Sequence, residues 1–225
     1  MKTTTSIQKT FEKYDGKHFI LYFNEAQKEV PAQDPGSDEQ QPQLAYEYDT
    51  VIVECTEPGI AAFTQALQQE GYTEDDAAII ATEAMLQAVR RGEQEGDQKA
   101  LAHSLEELLI TRYDKSTAVN QFTYRGVPMW LDKETRNGLL MRLNAEDNAG
   151  KRKTTLWLGT QSFELGIEEG IQLLYALEVY ASECFDVTAA HKAAAAALDD
   201  PDEILAYDFT AGYPPQLDIP EQQGE

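Results

Sequence analysis

The feature that most constrains the fold is the stretch from Val119 to Leu198, which predicts two β-hairpins that are each followed by a helix. The hairpin sequences are VNQFTYRGVPMWLD and TTLWLGTQSFELG, and the segment after the second one has apolar residues at helical spacing from Ile167 onward. No glycine or proline interrupts this spacing near Asp186. The pattern therefore predicts one helix of about 30 residues. A break near Asp186 is the alternative, because Asp186 or Thr188 could cap a second helix.

Local signals also place the turns and helix starts of this region. The first hairpin turns at Arg125–Gly126, and Asp132 is a suitable N-cap for the helix that follows. Leucines 139, 140 and 143 supply the buried side of that helix. The second hairpin turns at Gly159–Thr160. The region thus reads as a self-sufficient module.

The N-terminal half predicts a smaller unit. HFILYF, residues 18–23, and LAYEYDTVIVEC, residues 44–55, read as strands that pair across the intervening segment. That segment, residues 24–43, is rich in proline, glutamine and acids, and we predict a mobile acidic loop. Two strands alone are marginal in water, so they need helices packed on them.

Three helices are predicted after these strands. The first has Pro58 in its first turn and Gly71 after its last. The second begins after Thr73 as N-cap and ends at Arg90 and Arg91, which suits the helix dipole at both ends. The third begins at Asp97 and connects the two halves of the chain.

The predicted fold class is therefore α+β and predominantly helical, with two small modules of antiparallel hairpins packed against helices. Residues 1–96 form the N-terminal module, with the mobile loop at 24–43. Residues 97–207 form the hairpin–helix–hairpin–long helix module. This module ends with a helical turn predicted at Glu203–Tyr207. Residues 208–225 form an extended or disordered tail.

Charge restricts the partners. Forty acidic residues against 18 basic ones give a net charge of −22. Such a surface repels phosphate backbones and anionic membranes, so we expect no nucleic-acid and no membrane partner. No signal-peptide or transmembrane pattern occurs, so we expect a cytoplasmic protein.

The sequence offers no recognisable catalytic, cofactor-binding or metal site. His18, His103 and His191 lack metal-ligand spacing, and the acids at 199–203 do not fit a calcium loop. Cys55 and Cys184 lie in apolar segments and read as reduced, buried thiols. We therefore expect a protein that is not an enzyme and needs no cofactor.

Aromatic residues of the hairpins are the remaining candidates for function. Trp130 and Trp157 are the only tryptophans, and each belongs to one hairpin. We favour a core position for the hairpin aromatics, including Tyr113, Tyr124 and Phe163, over a partner interface. If exposed, the partner or ligand contacts would be Tyr124, Arg125, Trp130 and Trp157.

Residues 103–198 resemble an uncharacterised domain family found in phage and prophage proteins, commonly encoded near tail-fibre and other late structural genes. The resemblance depends on Phe122, Tyr124, Gly126, Trp130, Leu131, Asp132, Arg136, Leu143, Trp157, Cys184, His191 and Lys192. That family has no established activity, so no catalytic residue is carried over. The resemblance implies a setting, namely the cytoplasm of a bacterial host or a virion.

The leading hypothesis is a non-enzymatic phage or prophage structural or assembly protein, associated with a tail or tail fibre, that acts through protein–protein contacts. Its partners would be virion or assembly components, or further copies of the chain in a homo-oligomer. The alternative is a small-molecule or glycan-binding module with Tyr124, Trp130 and Trp157 as a stacking platform, which requires both tryptophans to be exposed.

Overall fold

The computed structural model describes residues 1–15, 17–30, 43–54, 59–158 and 161–220. Over these residues the fold is α+β, as predicted, with small, mostly antiparallel sheets. The strands are β1 (Lys2–Thr5), β2 (Phe11–Lys13), β3 (His18–Val30), β4 (Gln43–Glu54), β5 (Phe122–Tyr124), β6 (Val127–Met129), β7 (Lys153–Leu158), β8 (Gln161–Gly166) and β9 (Asp218–Ile219). The helices are α1 (Ile60–Gln69), α2 (Glu74–Arg90), α3 (Gln98–Asp114), α4 (Thr117–Asn120), α5 (Lys133–Asn148), α6 (Ile167–Ala196) and α7 (Pro201–Leu205).

The chain divides into two units, and both are discontinuous in sequence. Unit 1 contains Met1–Leu109 and Leu198–Tyr207, and unit 2 contains Ile110–Ala197 and Asp208–Glu225. The predicted modules were continuous, with boundaries at 96 and 207. The structure instead places α7 in unit 1 and the chain after it in unit 2, because each segment packs on a core far from it in sequence.

Unit 1 contains an antiparallel sheet with the strand order β1-β4-β3-β2. The predicted pairing of β3 with β4 is confirmed, but the two outer strands were not predicted. Prediction of a loop over all of 24–43 is wrong, because β3 continues to Val30 and pairs with β4 from Gln43. Residues 24–30 are mostly polar, so no apolar pattern predicted this extension of the strand. Residues 31–42, Cys55 and Pro58 lie outside the described residues.

Helices α1 and α2 cover one face of this sheet. Inward side chains alternate along the strands, as in Phe19, Leu21 and Phe23, and they contact Phe63 and Leu67 of α1. The Thr73 hydroxyl accepts a hydrogen bond from the backbone N–H of Asp76 and caps α2 as predicted. Asp97 likewise accepts hydrogen bonds from the backbone at the start of α3. A second core cluster joins α2, α3 and Leu205 of α7.

Unit 2 begins its sheet with the predicted hairpin of β5 and β6. Arg125 and Gly126 have φ values of 50° and 78°, so this two-residue turn is of type I′, which matches the twist of a hairpin. The predicted extended or disordered tail contributes β9, which pairs parallel to β5. Backbone N–H groups of Thr123 and Arg125 donate to the carbonyls of Leu217 and Ile219 at 2.8 Å. This part of the tail is thus extended, and its pairing with β5 was not predicted.

Helix α6 is a single helix of 30 residues, which confirms the predicted length and excludes the break at Asp186. Its buried face packs on α5 and on both hairpins in one core, to which Leu143, Leu156, Leu173 and Leu177 belong. Asp132 caps α5 as predicted, with a 2.7 Å hydrogen bond from the backbone N–H of Thr135. The second hairpin, β7 and β8, is also present; its turn at Gly159–Thr160 lies outside the described residues.

Candidate functional site

The predicted hairpin aromatics divide into buried and exposed side chains. Tyr124 is 1% exposed and belongs to the core of unit 2. Trp130 and Trp157 are 59% and 64% exposed. The expectation that both tryptophans belong to the core is therefore wrong, and the condition set by the ligand-binding alternative, exposed tryptophans, is met.

Alternation along extended backbone explains why the tryptophans face outward. Met129 and Leu131 flank Trp130, and both are buried in the unit 2 core. Leu156 precedes Trp157 and is also buried there. Because successive side chains in extended backbone point to opposite faces, each tryptophan is directed away from the core. The leucines and methionine, rather than the tryptophans, join each hairpin to its helix.

Tyr124 and Arg125 hold the first hairpin to the start of α6. The Tyr124 hydroxyl donates to Oε1 of Glu169 at 3.2 Å, and Nη2 of Arg125 lies 2.9 Å from the same oxygen. The guanidinium group also lies 5.1 Å from the centre of the Tyr124 ring. Glu169 in turn accepts from the backbone N–H of Gly166 at 3.4 Å. These two predicted contact residues therefore have a structural role within unit 2.

A cleft of about 440 Å³ lies between α6 and the segment that connects β6 to α5. We call it the Trp130 cleft. Phe185 of α6 also lines it and is 67% exposed, although it belongs to the apolar residues at helical spacing that begin at Ile167. Among the other lining side chains are Leu131, Asp132, Arg136 and Glu178. The cleft thus presents two large aromatic side chains to solvent beside charged groups.

Arg136 connects the two sides of this cleft. Its Nη2 lies 3.1 Å from Oε2 of Glu178 on α6, and its Nη1 donates to the carbonyl oxygen of Leu131 at 2.7 Å. The arginine side chain is only 13% exposed. Because the guanidinium group is enclosed and paired, its charge is largely compensated within the protein.

The carboxyl group of Asp132 and the thiol of Cys184, which both line the cleft, have opposite pKa shifts relative to their charged forms: the ionised form is favoured for the first and disfavoured for the second. The hydrogen bond from the backbone N–H of Thr135 holds the pKa of Asp132 below its usual value, so this carboxylate stays ionised. Burial raises the pKa of the Cys184 thiol, which disfavours the nucleophilic thiolate. Its sulfur lies 3.8 Å from the carbonyl oxygen of Val119. No histidine lines the described part of the cleft.

Unit 1 contains a separate cavity of about 270 Å³, where polar groups mostly satisfy one another. Tyr48 donates to Glu25 at 2.9 Å, and Nη2 of Arg91 lies 3.6 Å from the same carboxylate. Tyr22 donates to Glu12 at 2.9 Å, and burial raises the pKa of Tyr22 to about 12. These polar groups therefore have a structural role within unit 1.

The remaining titratable candidates have local roles. His18 contacts Asp15 at 3.0 Å, and Nε2 of His191 lies 2.8 Å from the carbonyl oxygen of Ala211. Asp200 caps α7 by accepting from two backbone N–H groups, and Asp202 pairs with Arg90. Within the described ranges, no group of three histidine, cysteine or acidic residues could hold a metal ion.

No family model, curated protein or solved structure matches the chain. None of the helices in the described residues is both long and apolar enough to cross a membrane.

Proposed function

We propose that the protein is a non-enzymatic binding protein that contacts a protein partner through the Trp130 cleft. The observation that carries this proposal is the pair of exposed aromatic side chains, Trp130 and Phe185, that line one cleft of unit 2. Exposed tryptophan is costly to leave in water and is enriched among the residues that dominate binding energy at protein interfaces.

The proposed setting is a phage or prophage, with a virion or assembly component as the partner. Support for this setting comes from the sequence resemblance in residues 103–198. Several residues that carry the resemblance also line the Trp130 cleft: Trp130, Leu131, Asp132, Arg136 and Cys184. Binding of a virion protein at the Trp130 cleft would explain why these residues lie together there.

Site-specific photocrosslinking tests the proposal. A photoreactive phenylalanine analogue replaces Trp130 in one variant and Met141 in a control, in cells that produce the phage particles. Met141 is 74% exposed on α5 and does not line the cleft. We expect position 130, but not 141, to form a discrete adduct whose second component is identified by mass spectrometry as a virion or assembly protein. Equal or absent labelling at both positions would contradict the proposal.

Ligand binding by Trp130 is a second candidate function, favoured by the exposure of this side chain and by a cleft volume in the range of small-molecule sites. The platform would consist of Trp130 and Phe185, because Tyr124 is buried. Titration of the Trp157→Phe variant with oligosaccharides tests it through the fluorescence of Trp130. Saturable quenching would favour this candidate, and an unchanged spectrum at millimolar sugar would count against it.

A further inference from the structure

The Trp130 cleft combines aromatic surfaces with carboxylates. Indole and phenyl faces attract cations through their quadrupole, and this attraction is strongest for tryptophan. Trp130 and Phe185 both line the cleft with most of their surface exposed, and neither ring is stacked on another ring in the described residues. A flat cation such as a guanidinium group could therefore contact either ring.

The charges of the cleft favour the same class of ligand. Asp114, Asp132 and Glu178 line it, against the cations Lys133 and Arg136. Arg136 pairs with Glu178, so these two charges largely cancel, and Asp114 and Asp132 against Lys133 set the local potential. The hydrogen bonds at Asp132 keep one of these charges in place down to acidic pH.

The charge of the whole protein acts in the same direction. A net charge of −22 attracts basic partners at long range and raises their association rate. It opposes a second copy of the chain, which would bring the same charge to the interface. It equally opposes nucleic acid.

We infer that the Trp130 cleft binds a segment of a partner protein that presents an arginine beside apolar residues. This inference depends on the proposed function and specifies the chemistry of its partner. The guanidinium group contacts Trp130 or Phe185 and pairs with the carboxylates of the cleft. The neighbouring apolar side chains cover the exposed remainder of the rings. A lysine serves less well, because its ammonium group is more strongly hydrated and cannot stack.

Synthetic nonapeptides provide the probe. The test peptide has one central arginine flanked by leucines, with glycine, serine and alanine elsewhere and both ends blocked. Matched peptides carry citrulline, lysine or glutamate at the centre, and citrulline has nearly the shape of arginine without its charge. In the Trp157→Phe variant Trp130 is the only tryptophan, so fluorescence titration reports on the cleft. The Trp130→Phe variant leaves Trp157 as the control reporter.

We expect the arginine peptide to change Trp130 emission saturably and to bind about tenfold more tightly than the citrulline peptide. Lysine should rank between them, and glutamate should give no change. Glu178→Gln, which leaves the charge of Arg136 uncompensated in the cleft, and Phe185→Leu should each weaken arginine binding several-fold, whereas Tyr175→Ala on the exposed face of α6 outside the cleft should not. The Trp157 reporter should remain unchanged by every peptide.

Equal affinity for arginine and citrulline would overturn the inference and leave the protein-binding function intact, since the cleft would then recognise apolar side chains alone. An unchanged Trp130 signal with all four peptides would also overturn it. The crosslinking experiment at position 130 would still decide the proposed function separately. Equal responses of Trp130 and Trp157 would indicate unspecific attraction to the acidic surface and would likewise reject the site.

Discussion

Glu106 shows how one residue can set the pH dependence of stability. It lies on α3 with 1% exposure, and Ala102 and Ile110, one turn away on either side, are fully buried. Neither carboxyl oxygen has a hydrogen-bond partner in the described part of the chain. Burial raises the pKa of Glu106 from its usual 4.5 to about 7, because desolvation penalises the charged form.

The direction of the effect follows from proton binding. Between pH 4.5 and 7 the folded protein holds a proton on Glu106 that the unfolded chain has released, so stability falls as pH rises through this window. Glu106→Gln has no such proton to lose. We expect its unfolding free energy to match the wild type within about 1 kcal/mol at pH 4.5 and to exceed it by about 3 kcal/mol at pH 8.

Urea unfolding of both proteins across pH 4.5 to 8 measures this difference, and the comparison cancels the titration of all other groups. Glu107→Gln is the matched control, because Glu107 is the next residue and is exposed. If the difference in unfolding free energy between wild type and Glu106→Gln did not change with pH, folding would not raise the pKa of Glu106.

At the scale of elements, two glycines of unit 2 lie in helices with opposite surroundings. A Cβ atom at Gly170 of α6 would lie 2.9 Å from Cδ1 of Leu143 on α5 and 3.2 Å from Cδ1 of Leu165 on β8. A Cβ at Gly138 of α5 would meet nothing within 4 Å. Gly170 thus permits close packing of the two helices, whereas Gly138 only weakens its helix.

Substitutions at these glycines should therefore act in opposite directions. Gly138→Ala should stabilise unit 2 by about 0.5–1 kcal/mol, since alanine loses less conformational entropy in a helix. Gly170→Val should destabilise it by about 1–3 kcal/mol through overpacking of the core. Thermal unfolding followed by circular dichroism compares them. A neutral Gly170→Val would mean that Leu143 and Leu165 can move aside without cost.

Elements with strong local signals could be predicted, and those stabilised by distant contacts could not. Helix α6 has uninterrupted periodicity, and the turn at Arg125–Gly126 has the residue pattern of a hairpin. Strands β1 and β2 have four and three residues, which is too short for a pattern to emerge. Residues 24–29 of β3 are exposed, so no apolar alternation marks this part of the strand. Its strand conformation depends on pairing with β4.

The candidate site was only partly predictable for a related reason. Trp130 was named from the sequence as a contact residue, but its exposure depends on which neighbours face the core. Trp130 lies between Met129 and Leu131, and in extended backbone it points to the face opposite to theirs. Phe185 was missed because it directly follows the buried Cys184 in an apolar run. Each residue of a helix turns about 100° from the last, so neighbours in such a run need not share a face.

For the molecule as a whole, the final described segment is part of a core. Leu217 and Ile219 pack against the main core of unit 2, and the Tyr213 hydroxyl lies 2.9 Å from that of Thr188. A chain that ends at Tyr207 loses these contacts together with β9. We expect it to lose about 3–5 kcal/mol of stability in unit 2, from apolar burial and hydrogen bonds combined.

Differential scanning calorimetry of the truncated and full-length chains tests this expectation. Leu217→Ala should reproduce part of the loss, about 1–2 kcal/mol, whereas Asp218→Ala, at an exposed side chain, should leave the transition unchanged. An unaltered calorimetric profile after truncation would show that the segment adds no stability to unit 2.

The discontinuous units also affect how the nascent chain folds. The sheet and helices of unit 1 leave the ribosome first, but α7 is encoded after the 88 residues from Ile110 to Ala197. At about 5–20 residues per second, the growing chain waits about 4–18 seconds for it. Until then Ile79, Leu86 and Leu105 lack their contact with Leu205. Slowing translation across α6 should therefore lengthen the time during which nascent unit 1 is open to proteases and chaperones.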